Sequence, residues 1–357
     1  MKNGAETLER APRNRTLILK DDEIPSLKSH ITTDLESLKD DYINKTICSD
    51  TLLALKSLPN GIADLIFVDP PYNIQKSFKE LSFSNTSQAV YLEYLDEWFP
   101  ELIKKAKPTA SVYICGDWKS TYALHEIMDR YTILRSRIIW QREKGRGAKA
   151  NWKNSCEDIW FGTITKEYYF DVDSVKQKRR VIAPYKVNGK PKDWEETKEG
   201  NYRLTHPSNF WDDITIPYWS MPENTDHPTQ KPEKLLAKLI LASCPKDGLV
   251  LDPFLGSGAT SVTSKKLGRK FIGIEANEEY CLWSAKRLLQ AENDCEIQGY
   301  SDGVFWERNT LNQQMANKKE KAEKTKSREV ANPNEQQESL FLRSQSDLTY
   351  QMFRVLP

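Results

Sequence analysis

Short unbroken apolar runs alternate along this chain with longer stretches whose apolar residues recur at helical spacing. Lys45–Cys48 reads as a short strand and Thr51–Leu58 as a helix. After the turn residues Pro59-Asn60-Gly61 comes Leu65-Ile66-Phe67-Val68, the pattern of a strand buried on both faces. Residues 88–106 have helical apolar spacing, with Tyr91, Tyr94, Leu95, Trp98, Phe99, Leu102 and Ile103. Ser111–Cys115 and Arg137–Trp140 read as strands, with a helix near Thr121–Arg130 between them. The rhythm then lapses over about 142–220, a region with several prolines and five tryptophans (Trp152, Trp160, Trp194, Trp211, Trp219). It resumes with a helix at Glu233–Ala242, a strand at Leu249–Asp252, a glycine turn opening another helix, a strand at Lys270–Glu275 and a helix at Glu278–Gln290. Strands alternating with helices predict an α/β fold with a parallel sheet. Residues 1–42 read as a polar arm, and 312–357 as a Gln/Lys/Glu/Asn-rich linker and tail that stays solvated.

Two constellations carry chemistry. Asp69-Pro70-Pro71-Tyr72 follows the buried strand directly, and the carboxyl end of a parallel strand is where open α/β sheets hold ligands. An ionised Asp only accepts hydrogen bonds, and the prolines stiffen the backbone around it. A side-chain and a carbonyl acceptor held rigidly suit a planar NH2 group, and Tyr72 supplies a face for stacking. An amine conjugated to an aromatic ring is a weak nucleophile. Acceptors that pull on both N–H bonds favour its pyramidal, nucleophilic form, which stabilises the transition state selectively. A proline-rich turn with a capping Asp would look the same in isolation, so the position after a buried strand decides.

The second constellation, Asp252-Pro253-Phe254-Leu255-Gly256-Ser257-Gly258-Ala259-Thr260, also follows a strand and opens a helix. Its glycines let a ligand approach the backbone at a helix N-terminus. The third glycine of a dinucleotide fingerprint is missing, since Ser261 stands there. Glu275 ends the next strand, where an acid can accept ribose hydroxyls. A nucleoside cofactor without a pyrophosphate fits this arrangement, and S-adenosyl-L-methionine is one.

Together, D-P-P-Y and D-P-F-L-G-S-G-A-T, with His227-Pro228-Thr229-Gln230-Lys231-Pro232 between them, resemble the DNA amino-methyltransferases in their permuted β-class arrangement. The likeness spans about 43–290, and Ala259 departs from it where Thr is commoner. It implies a Rossmann-like methyltransferase sheet, circularly permuted, with a catalytic half at 43–164, an inserted target-recognition region at 165–225 and a cofactor-binding half at 226–311. By the same resemblance, Asp69, Pro70, Pro71 and Tyr72 hold a flipped-out base. Asp50, Asp252, Phe254, Gly256, Ser257, Gly258 and Glu275 hold S-adenosyl-L-methionine, and His227, Thr229 and Lys231 close its methionine end. Asp in the first position of D-P-P-Y favours N6 of adenine over N4 of cytosine. A site-specific adenine methyltransferase of a restriction–modification system is the expected function. A cytosine-N4 enzyme is the alternative, and an RNA methyltransferase a more distant one. C5-cytosine chemistry is set aside, because Cys244 precedes Pro245 in the wrong order for a nucleophile.

Charge then matters by its placement. The 52 Lys+Arg nearly balance the 51 Asp+Glu, yet Arg142, Lys144, Arg146, Lys149 and Lys153 cluster against Glu143 alone. A second run includes Lys178, Arg179 and Arg180. Both read as phosphate contacts to double-stranded DNA, and the alternative is a solvated loop. Gln337-Glu338-Ser339-Leu340-Phe341 resembles the peptides that dock bacterial proteins on the replication sliding clamp, set against a chance match in a tail. A homodimer follows only from the resemblance. No stretch approaches the ~20 apolar residues of a membrane span, and the N-terminus has no apolar signal core, so a cytoplasmic, nucleoid-associated protein is expected. The 6 cysteines include no Cys-x-x-Cys pair, so structural zinc and a disulfide framework are not expected, and the chemistry needs no metal.

Overall fold

The computed structural model describes residues 11–73, 76–78, 81–83, 86–142, 151–181, 185–197 and 200–307. Its main sheet has 9 strands. In chain order these are β1 (Ile31–Thr32), β2 (Lys45–Cys48), β3 (Ala63–Val68), β4 (Ala106–Gly116), β5 (Ile133–Gln141), β6 (Cys156–Thr163), β7 (Phe210–Trp211), β8 (Leu249–Asp252) and β9 (Lys270–Glu275). In space they run β1-β2-β9-β8-β3-β4-β6-β5-β7. Pairing is parallel throughout except at β6, which lies antiparallel to both β4 and β5. The strand leading to Asp252 therefore sits beside the strand leading to Asp69, although the second motif comes far later in the chain.

Helices cover both faces. On one, α2 (Thr51–Ser57), α3 (Gln88–Lys104) and α4 (Thr121–Tyr131) pack against Ile66, Val68, Val112 and Ile274. On the other, Leu65, Phe67, Tyr113 and Val250 meet Leu235, Leu236 and Leu239 of α5 (Glu233–Ser243). The alternation of β3 between the two clusters is the period-2 geometry of a strand buried on both sides. All of α5 is buried, because its opposite face carries Ala237 and Leu241 onto Val175 and Phe305. Its two lysines are satisfied there. Lys234 Nζ lies 2.7 Å from Asp213 Oδ2 and Lys238 Nζ 3.1 Å from Asp213 Oδ1. Burial nevertheless pulls Lys238 down to about 8, with Asp213 partly offsetting it. α6 (Ala259–Lys266) and α7 (Glu278–Gln290) complete the fold beside β8 and β9.

The structure adds to three of these readings. Part of the polar arm is structured: α1 (Ile24–Lys28) packs its Leu27 on Leu282 and Ala285 of α7, and β1 extends the sheet edge beside β2. Apolar residues spaced among charges were enough for that packing. The middle region is not simply irregular, since β6 completes the main sheet. The 165–225 region pairs beyond its own bounds. Its strands Glu195–Thr197, Gly200–Thr205 and Gln177–Arg180 share a 5-stranded sheet with Val304–Trp306 and Tyr300–Ser301, from the segment assigned to the cofactor half. Among the described residues no helix is long and apolar enough to cross a membrane.

Candidate active site

The strands β3, β8 and β9 are neighbours, and each delivers a polar group at its carboxyl end: Asp69, Asp252 and Glu275. Parallel strands ending together make the crevice in which such sheets hold ligands.

The loop after β3 is held from beneath. The Tyr91 hydroxyl donates to the Pro71 carbonyl at 2.9 Å, and the Asn73 amide N–H donates to Ser120 Oγ at 3.1 Å. Asn73 Oδ1 in turn accepts from the Thr86 amide at 2.8 Å. These bonds fix the backbone on both sides of Tyr72, whose hydroxyl donates towards Asp69 Oδ1 at 2.8 Å and lies 3.1 Å from Glu157 Oε2. A phenol has one proton, so it serves one of these carboxylates at a time. Lys231 completes the cluster. Its Nζ is 2.6 Å from Asp69 Oδ2, 3.1 Å from Tyr72 Oη and 3.4 Å from Glu157 Oε2. The second oxygen of Glu157 meets Arg142 Nη1 at 2.9 Å.

Burial alone would pull the Lys231 ammonium down, but Asp69 and Glu157 outweigh it and hold the lysine above its ordinary range. Burial, with both carboxylates adding to it, also drives the Tyr72 phenol well above its usual value. The cluster thus sets the Lys231 ammonium and the Arg142 guanidinium against the carboxyl groups of Asp69 and Glu157 around a neutral phenol. The resemblance gives Lys231 to the methionine end of a cofactor pocket, whereas the structure gives its ammonium to Asp69. Glu157 was missed in the sequence. The signal was there: alternation along β6 puts Glu157 on the same face as Ile159 and Phe161, so an acid falls on a buried face.

The turn after β8 is shaped by two glycines with positive φ, Gly256 at +55° and Gly258 at +88°. A Cβ on Gly256 would lie 3.0 Å from His227 Nε2, so any side chain there would crowd that ring. His227 is itself set edge-on to Tyr280, with ring centroids 4.5 Å apart, and its Nδ1 accepts from the Thr229 amide at 3.4 Å. Glu275 Oε2 accepts from the Gly256 amide at 2.9 Å and Oε1 from the Asn277 amide at 2.8 Å. These bonds fix a carboxylate at the lip of the turn. Phe254 packs against Trp98 at 4.8 Å between centroids. The buried Ser257 gives its carbonyl to Arg287 Nη1 at 2.9 Å. Asp50 caps α2, its Oδ1 accepting from the Leu53 amide at 3.1 Å, while neighbouring Thr51 donates to the Pro253 carbonyl at 2.9 Å.

Asp252 lies under this turn. Its Oδ1 accepts from the Phe254 amide at 2.9 Å and its Oδ2 from Thr260 Oγ1 at 2.6 Å. Burial still pushes its carboxyl up to about 7. An unfolded Asp titrates near ~3.9, so between these values the folded protein holds a proton that the unfolded chain has lost. Stability from this group is full below about 4 and is lost as pH rises to about 7. The melting temperature of the wild type should therefore fall by roughly a few degrees between pH 5.5 and 8 relative to Asp252→Asn. Parallel profiles for the two proteins in a pH series of melts would refute this account. Glu223, also raised by burial to about 7, is present in both and cancels.

The residues expected to meet DNA divide. Arg142 is a counter-ion of Glu157, so the structure uses it inside the site. Lys178 lies over the rings of Trp306 and Tyr202, at 4.5 and 5.0 Å from their centroids. It shares a strand with Arg179 and the exposed Arg180. Lys153 lies in the short stretch leading into β6. Lys144, Arg146, Lys149 and the peptide Gln337–Phe341 lie outside the described residues.

Residues 63–287 match the family model N6_N4_Mtase, a DNA methylase. Type II methyltransferase M.HpaI of Haemophilus parainfluenzae is 32% identical over 259 residues, 72% of this chain and 76% of that protein. DNA adenine methyltransferase YhdJ of Escherichia coli (strain K12) is 34% identical over 252 residues, 68% of this chain and 82% of its own length. Among solved structures, the PvuII DNA methyltransferase (cytosine-N4-specific) has the same fold, with a TM-score of 0.52 at 18% identity over 72% of this chain and 95% of that one. The matched segment runs from β3 through α7 and so takes in both strand-end motifs: this chain belongs to the N6/N4 DNA methylase family.

Proposed function

We propose that the protein transfers a methyl group from S-adenosyl-L-methionine to N6 of an adenine turned out of duplex DNA, as the modification enzyme of a restriction–modification system. The observation that carries this reading is the placement of Asp69 and the glycine turn at the ends of two adjacent parallel strands, which lets one crevice serve an amino acceptor and a cofactor. The residues fit that cofactor. The bare backbone at Gly256 and the carboxylate of Glu275 would hold its sugar and its charged end, and Phe254 and His227 would wall it in. When bound, S-adenosyl-L-methionine supplies an activated methyl group.

The chain's own residues would do the rest. Asp69 accepts a hydrogen bond from the amino group and draws its lone pair out of conjugation. Asp69 also takes the proton that N6 sheds once it is methylated. Tyr72 stacks on the base, a contact worth roughly 1–3 kcal/mol in nucleic-acid sites, which helps offset the few kcal/mol of unstacking. Duplex DNA is the substrate partner. A homodimer enters only through the family resemblance, and clamp docking only through the likeness of Gln337–Phe341 to clamp-docking peptides.

N4 of cytosine is the second reading, because it too is a conjugated exocyclic amine and the family spans both. Mass spectrometry of nucleosides from plasmid DNA co-expressed with the protein separates the two. N6-methyladenine is expected; N4-methylcytosine would keep the mechanism and change the base, and neither product would overturn the reading.

A further inference from the structure

Asp69, the acceptor on which the proposed reaction depends, is occupied in this structure by the Lys231 ammonium at 2.6 Å. A neutral amino group does not displace an ammonium from a carboxylate on equal terms, since the charge-assisted bond is roughly twice as strong. Nor can a lysine whose side chain is only 5% exposed be left without an anion. The site resolves this conflict with a second carboxylate. Glu157 Oε2 lies 3.4 Å from the same Nζ, about half an ångström beyond a short N–H···O bond. Its other oxygen is held by Arg142 at 2.9 Å, which keeps Oε2 turned towards the lysine.

We propose that Lys231 is a movable counter-ion and Glu157 the positioning residue that receives it. In the empty site Lys231 neutralises Asp69, and when the target's amino group takes Asp69 the ammonium passes to Glu157. The inference rests on the reading of Asp69 as acceptor of that amino group. Tyr72 fits both arrangements. Its single proton can serve Glu157 while Lys231 holds Asp69, and turn to Asp69, 2.8 Å away, once Lys231 has moved. The two states thus keep every charge paired, and they differ by a shift of about an ångström, within the reach of a lysine head group.

The test uses the full-length protein, S-adenosyl-L-methionine with a labelled methyl group, and plasmid DNA from a host without DNA methylation. With Glu157→Gln, Lys231 has no second anion and stays on Asp69. Turnover should fall about thirty- to a hundredfold with cofactor affinity unchanged. The double variant Glu157→Gln/Lys231→Met frees Asp69 and should recover at least about fivefold over Glu157→Gln. Glu157→Asp, which keeps an anion one methylene farther from Lys231, should lose only about three- to tenfold in turnover with cofactor affinity unchanged. This conservative variant keeps the proposal testable if Glu157→Gln fails to fold.

A purely structural role for Glu157 would make the double variant no better than the single one, which would overturn the hand-over. So would wild-type turnover, or weakened cofactor binding, in Glu157→Asp. A wild-type protein that methylates no DNA would instead overturn the reading of the site, and this inference with it.

Discussion

Asp69→Ala is expected to lower methyl transfer to DNA by about 10²–10³-fold or more, while S-adenosyl-L-methionine binds as before. The size follows from what is removed. Deleting one preorganised group aimed at the reacting centre of an enzyme typically costs roughly that factor, and in the proposed reaction Asp69 has two tasks, to activate the amine and to take its proton. The fold should survive the change, because the cluster does not depend on Asp69 alone. Lys231 retains Glu157 at 3.4 Å, Glu157 retains Arg142 at 2.9 Å, and Tyr72 keeps Glu157 as an acceptor at 3.1 Å. Labelled-methyl incorporation and a cofactor titration on the same preparation separate these effects. Near-normal transfer would remove Asp69 from the chemistry. Joint loss of transfer and cofactor binding would show instead that Asp69 supports the crevice.

That prediction could be framed from sequence because β3 and β8 are read by short-range rules alone. Each carries a continuous apolar run, Leu65–Val68 and Leu249–Leu251, ended by a motif, and each strand is buried at every position. A strand of that kind needs no knowledge of its partners to be recognised. The glycine turn and Glu275 were legible for the same reason, as local signals at the end of a strand. Glu157 was not, and the cause lies in β6. That strand returns antiparallel between β4 and β5, so its existence depends on partners that precede it in the chain. Its pattern is obscured by Cys156 and Trp160, and it enters from a stretch with no helix to announce it. Val304–Trp306 illustrates the same limit more sharply. A three-residue strand carries almost no periodicity, and its pairing with Gln177–Arg180 and with Tyr300–Ser301 is what gives it meaning.

Side-chain direction is the other thing the chain order hides. Lys231 belongs by sequence to a motif next to the cofactor turn, and nothing local says which neighbour its ammonium will meet. The answer comes from the order of the strands. β3 is flanked by β8 on one side and β4 on the other, with β6 beyond β4. The acid of β6 therefore reaches the same small volume as the acid after β3, and a buried cation is needed between them.

The glycine turn gives the second large effect. Gly258→Ala should lower the melting temperature by roughly 5–15 °C, from about 2–5 kcal/mol of destabilisation. The backbone at Gly258 has φ +88°, a conformation that costs an L-residue roughly 1–2 kcal/mol. Overpacking adds a second cost. The new Cβ would fall 2.5 Å from Ser284 Oγ, 2.6 Å from its Cβ and 2.7 Å from its Cα. A serine hydroxyl could rotate away, but its Cα belongs to α7 and cannot. Ser284 is also buried and tied to β2 through a 3.3 Å hydrogen bond with Thr46 Oγ1. Relief would therefore have to come from moving α6 away from α7, which would open the turn that presents Gly256 and disturb its bond to Glu275. Gly268→Ala is the control, because its φ of +70° is similar and a Cβ there meets nothing within 4 Å. It should show the conformational cost alone, about 1–2 kcal/mol. Equal melting-temperature losses in the two variants would mean that crowding against α7 contributes nothing, and the requirement for glycine at 258 would be one of backbone conformation only.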